Sequence, residues 1–179
     1  MIASPGRWSS RKLTHYPRPS PIPPLPLRCY AWEVVTRAQD GLPAVREIEH
    51  TADVGFEVDA PTLAELFERA GLAMLGFMVD LTAVEPRERV GIAVEAEGRE
   101  ELLHDFLSDL LVRVETTGFV ACELAVEVVD ARAVRGEAAG ERIDRSRHRL
   151  YGLVKAVTYH QLAVEQRDGG WSARVILDV

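Results

Sequence analysis

Cysteine is scarce: the 179-residue chain has two, Cys29 and Cys122. They show no metal-type spacing and make no disulfide framework, so a reducing compartment is expected. No run approaches the roughly 18 apolar residues of a spanning helix, which speaks against a membrane protein. No Gly-rich βα turn of dinucleotide or P-loop type occurs, and there is no internal repeat. Positive charge is also short where most of the chain lies. Residues 1–40 hold six Lys/Arg and two acids, leaving 15 bases against 26 acids in the remainder, a net of −11. Phosphate affinity comes mainly from Lys and Arg, so this body is poorly suited to grip nucleic acid unaided. It suits a cation or a protein partner better.

Proline, by contrast, is abundant at one end. Seven of the ten prolines fall in residues 1–26, most of them in "PRPSPIPPLP". Such a stretch cannot nucleate a helix or join a central strand and tends to polyproline II or disorder. Residues 1–42 are therefore expected to be a basic, Pro-rich, disordered extension. Its sharper alternative is a Pro-rich docking ligand. No apolar stretch free of proline precedes a small-residue cleavage site, so it does not read as a secretory signal. Residues 43–179 are expected to form a single domain, since 179 residues suggest one.

The body is patterned. Thr62, after Pro61 and three residues before Glu65, predicts a capping box. Leu63, Leu66, Phe67, Ala70, Met74 and Phe77 follow at helical spacing. A second helix is clearer still: Leu102, Leu103, Phe106, Leu107, Leu110, Leu111 and Val114 form a continuous stripe, and Gly118 is expected to stop it. "REIEH", "VGFEV", "RERVGIAVEAEG" and "FVACELAVEVVDARAV" read as strands. "LYGLVKAVTYHQLAVEQ" and "WSARVILDV" read as a hairpin around "RDGG". Residues 131–149, rich in Gly, Arg and Glu, read as a solvated loop or hairpin tip whose arginines could meet a phosphate or an acidic partner. The sum is an α+β fold: a mostly antiparallel or mixed sheet of about six strands packed with two main helices.

Some polar residues are left unexplained by this pattern. His50, Thr51 and Asp53 stand at the corner of "EIEHTADVGFEV"; Lys155, Thr158, Tyr159 and His160 interrupt an apolar strand; Asp178 follows "VIL". If the last turn centres on Asp168–Gly169, Asp178 is expected opposite about Tyr159, next to His160. Each residue has a plain reading. Asp53 can cap its own turn, His50 can be structural, Lys155 can snorkel or pair, and Asp178 can be an exposed strand end. The chemical reading joins Asp53, Asp178 and the α-carboxylate of Val179 as hard oxygen ligands for Ca²⁺, Mg²⁺ or Mn²⁺. A serine triad is poorly supported. Ser108 lies mid-helix, outside any nucleophile elbow, and Cys122 reads as core.

"EIEHTADVGFEV", "TLAELFERAGLAMLGFMVD", "VEP", "VKAVTYHQLAVE" and the final "ARVILDV" together resemble the archease family, from about Val45 to Val179. The resemblance implies a cytosolic, non-catalytic accessory protein of a GTP-dependent RNA ligase. That ligase joins 2′,3′-cyclic phosphate or 3′-phosphate RNA ends to 5′-hydroxyl ends in tRNA splicing and RNA repair. The accessory protein would promote guanylylation of the ligase and its repeated turnover, meeting RNA only through the ligase. The resemblance also implies a divalent-cation site, typically calcium, at Asp53, Asp178 and Val179. His50, Thr51, Lys155 and His160 would stand around it. The rival readings are a metal-dependent phosphoester hydrolase and a general chaperone or RNA-binding module.

Overall fold

Thr62 opens the first helix, accepting the Glu65 amide on its hydroxyl at 3.2 Å. The expected capping box is only half made, because the Glu65 carboxylate turns to Arg69 at 3.3 Å. The computed structural model describes residues 46–49, 53–129, 132–152, 154–167 and 169–179, and for 46–49, Asp53 and Val129 the backbone alone. The extension expected over 1–42 and the corner residues His50 and Thr51 lie outside the described residues. In chain order the elements are β1 (Arg46–Glu49), β2 (Asp53–Ala60), α1 (Leu63–Met78), a 3₁₀ turn (Leu81–Ala83), β3 (Glu88–Glu95), α2 (Arg99–Thr117), β4 (Phe119–Val129), β5 (Ala133–Arg142), β6 (Ala156–Arg167) and β7 (Gly170–Asp178).

The strands form two antiparallel sheets, one ordered β1-β2-β7-β6 and one ordered β3-β5-β4. Both helices touch both sheets. The first packs on β2, β7 and β4, the second on β6, β3, β4 and β5, and the two pack on each other. The core therefore sits between the sheets around the helices. Leu66, Phe67, Ala70 and Met74 of α1 and Leu102, Leu103, Phe106 and Leu107 of α2 are fully buried in it. Phe67 and Phe106 join the helices, ring centroids 5.5 Å apart, a separation favourable to tilted aromatic pairs. The second helix ends as expected at Gly118, whose left-handed backbone (φ 72°) donates its amide to the Val114 carbonyl.

The solvated loop expected over 131–149 is corrected by β5. Ten of those residues form the central strand of the three-stranded sheet, giving seven described strands where about six were expected. The long candidate strand starting at Phe119 divides into β4 and the first part of β5. The reason is local packing. β5 approaches β4 so closely that a Cβ on Gly136 would lie 2.1 Å from the Ala125 carbonyl oxygen, and one on Gly140 1.9 Å from that of Val120. Only small residues fit there, so β5 lacks the β-branched and aromatic signature of a strand. Apart from Val134, the core position it fills is the small Ala138, both fully buried.

The rest of that segment is tied down by polar contacts. Buried Glu141 accepts the Glu85 amide at 2.8 Å, His148 Nε2–H at 3.2 Å and the Arg147 guanidinium. The other ring nitrogen of His148 accepts the Asp144 amide at 3.0 Å, which assigns the Nε2 proton. Burial alone would raise the Glu141 carboxyl. The Glu85 amide, the Arg147 hydrogen bond and the Arg147 and Arg87 charges outweigh it and hold the group below the usual carboxylate range.

Candidate functional site

Two aspartates far apart in sequence meet in register. In the β2–β7 pair, Asp53 stands directly opposite Asp178. On its other side β7 pairs with β6, where Asp178 is opposite Ala156. The backbone amide of Lys155 donates to the Asp178 carbonyl at 2.8 Å. The Lys155 ammonium reaches past it and donates to the main-chain oxygen of Val179, also at 2.8 Å. Asp178 is half-buried, whereas Lys155 and Val179 are exposed. Asp53, Lys155, Asp178 and Val179 are thus brought to one end of the four-stranded sheet.

His160 is not brought there, and the cause is a bulge. Near the turn, partners follow the expected register, with Arg167 opposite Gly170 and Ala163 opposite Arg174. Between Thr158 and Ala163 the register shifts, and beyond it Thr158 faces Ile176 and Ala156 faces Asp178. The expectation that Asp178 lies opposite Tyr159 is therefore corrected by three residues. Gln161, at φ 52°, takes the left-handed backbone that the bulge requires. His160 is exposed within it, its Nε2 3.2 Å from the Gln161 side-chain amide. The bulge is what carries Lys155 to Asp178.

Carboxylate and main-chain oxygen, the groups that Asp178 and Val179 offer here, are of the type that suits a hard cation. The Lys155–Val179 contact already places one positive charge against them. Among the described residues no group of three His, Cys, Asp or Glu side chains gathers into a metal cage. The Asp53 side chain lies outside the described residues. Thr158 serves the sheet, its hydroxyl donating to the Ile176 carbonyl at 2.9 Å. Of the triad candidates, Cys122 is buried with its thiol toward the Ala139 carbonyl, and Ser108 lies on α2. No described helix is long and apolar enough to cross a membrane.

The model of the archease protein family matches residues 46–179. The chain belongs to the archease family. Protein archease of Methanopyrus kandleri is 42% identical over 136 residues, covering 74% of this chain and 97% of that protein. The Thermococcus gammatolerans archease is 38% identical, covering 73% and 95%. Among solved structures, Methanobacterium thermoautotrophicum protein 1598 aligns with a TM-score of 0.64 at 34% identity, over 75% of this chain and 98% of that one. A Thermotoga maritima archease, described as a possible chaperone, shares the fold with a TM-score of 0.53 at 20% identity, over 75% and 96%. The α+β architecture is thus that of archeases, and the sheet end built by Asp53, Lys155, Asp178 and Val179 lies within the matched region.

Sequence reasoning missed one feature next to this site. Tyr159 stacks on His104 of α2, ring centroids 3.9 Å apart and planes 14° from parallel. Nothing in the spacing of two residues 55 positions apart could have announced it.

Proposed function

We propose that this archease is the non-catalytic activator of a GTP-dependent RNA ligase, acting in the cytoplasm. The ligase would join 2′,3′-cyclic phosphate or 3′-phosphate RNA ends to 5′-hydroxyl ends in tRNA splicing and RNA repair. Archease would promote ligase guanylylation and allow repeated turnover, and RNA would reach it only through the ligase. Family membership supports this reading. So does one observation, the register that sets Asp53 against Asp178 beside the Lys155–Val179 contact.

Like charges directly opposite in an antiparallel pair are destabilising. A position that holds two of them favours a cation between them. Asp53, Asp178 and the Val179 main-chain oxygen would hold a divalent ion, calcium, magnesium or manganese by donor type. Bound there, the ion would supply a Lewis acid with open coordination positions for a partner's groups. Lys155 would hold the last residues of β7 in place through its two hydrogen bonds, and His50 and Thr51 would orient Asp53 from the corner. The exposed Lys155 and Val179 would present this end to the ligase.

The test couples metal to turnover. Calorimetric titration of the protein with Ca²⁺ and Mn²⁺ is expected to show one site, lost in Asp53→Asn and in Asp178→Asn while both variants stay folded, melting no lower than metal-free wild type because one of two opposed charges is gone. In multiple-turnover RNA joining with the cognate ligase, the same variants should fail to stimulate. Full stimulation by variants that have lost the metal would sever ion from activity. Chaperone activity, which the description of the T. maritima protein suggests, would appear instead as suppression of client aggregation without the ligase.

A further inference from the structure

Tyr159 leaves a large aromatic face in solvent, 58% exposed, in the middle of the β6 bulge. An exposed tyrosine alone is unremarkable, but this one is held. Its inner face lies flat on His104. His104 cannot turn freely, because Nδ1 is 2.8 Å from an Asp105 carboxylate oxygen and Nε2 is 3.2 Å from the Val157 carbonyl. The result is a rigid two-ring step whose outer face is open. Rigid aromatic surface costs little conformational entropy when a partner covers it, which is why tyrosine is frequent at binding hot spots.

The charges around the step decide what fits. Asp105 and Glu101, both on α2, bear on the Tyr159 hydroxyl. Partial burial first, then these two charges, push that phenol up. Both acids are partly or fully exposed and can meet a ligand. A nucleobase would stack on the ring, but its phosphates would face two carboxylates. A guanidinium satisfies both parts: it stacks on an aromatic face and donates to carboxylates from its edge.

We propose that the Tyr159–His104 step, flanked by Glu101 and Asp105, is the seat of an arginine side chain presented by the protein partner. The proposal rests on the ligase being that partner, and it names a second contact beyond the Lys155–Asp178 end. Lys155 is four residues before Tyr159 along the same chain, at most about 14 Å away when extended. One partner surface can therefore cover both.

The experiment is direct binding of the full-length protein to the cognate ligase by titration calorimetry in Mn²⁺. Tyr159→Ala should weaken binding about tenfold, the scale of a hot spot. Tyr159→Phe, which keeps the ring, should stay within about threefold. Glu101→Gln with Asp105→Asn should also weaken binding and flatten its salt dependence. Ca²⁺ titration of each variant should match wild type, separating this contact from the cation site. Wild-type affinity in Tyr159→Ala overturns the seat alone. No binding by wild type overturns the ligase as partner and, with it, this assignment of the arginine. Single-stranded RNA bound by the protein alone, and lost in Tyr159→Ala, would give the step to a nucleobase and overturn the arginine.

Discussion

Gly140→Ala is expected to be severely destabilising, and its cost can be worked from the β4–β5 contact. An added Cβ would stand 1.9 Å from the Val120 carbonyl oxygen and 2.8 Å from the Ala121 Cα. Both neighbours are backbone, so no side chain can swing away. Relief requires the strands to part by about 1 Å, in a core packed as densely as a crystal. Overpacking of this kind costs roughly 1–3 kcal/mol. A weakened ladder hydrogen bond adds about 1 kcal/mol. The sum, near 3 kcal/mol, corresponds to a fall of about 10 °C in Tm for a folded unit of about 130 residues. Gly91 is the control, since a Cβ there meets nothing within 4 Å. Gly91→Ala should be neutral, or gain a few tenths of a kcal/mol by restricting the unfolded chain. Urea and thermal unfolding of both variants decide it. A Gly140→Ala protein within about 1 kcal/mol of Gly91→Ala would mean that close strand approach does not fix the composition of β5.

Three further outcomes are expected. Glu141 has its carboxyl pKa lowered on folding, so its stabilisation is fully present above the ordinary carboxylate pKa and is lost as pH falls through the lower folded value. Glu141→Gln should therefore lower Tm at neutral pH and make its fall toward acid shallower; an unchanged acid limb would contradict this. Lys155→Ala should leave Tm unchanged, since its contact is exposed, but should reduce ligase stimulation, and undiminished stimulation would remove it from the site. Deleting residues 1–42 should leave multiple-turnover RNA joining as it was, whereas a large loss would mean that the Pro-rich segment docks a partner.

Legibility from sequence followed the strength of local patterns. Both helices were readable because their stripes run unbroken and their ends carry Thr62 and Gly118. β7 was readable from its apolar run and from the turn before it. β5 was not, because the force that shapes it is exclusion of side chains by a neighbouring backbone, which leaves glycine and alanine that resemble a loop. The β6 register was half legible. It is correct from Arg167 back to Ala163 and fails at Gln161, a residue type that gives little warning of a left-handed backbone. That single bulge exchanges His160 for Lys155 beside Asp178. The approach of Asp53 to Asp178 could be expected from family likeness, but only strand pairing explains it. The Tyr159–His104 stack had no local signal, since it depends on how α2 lies on β6.

The proposed activation of the ligase runs through the sheet end holding Asp53 and Asp178. The most direct measurement is transfer of labelled GMP to the cognate ligase in Mn²⁺. It compares no addition, substoichiometric wild-type protein, and Asp53→Ala confirmed as folded by its melting curve. The expected result is several guanylylated ligase molecules per archease with wild type, and labelling at the unstimulated level with Asp53→Ala. Equal labelling in all three reactions would mean that neither the protein nor Asp53 acts on guanylylation.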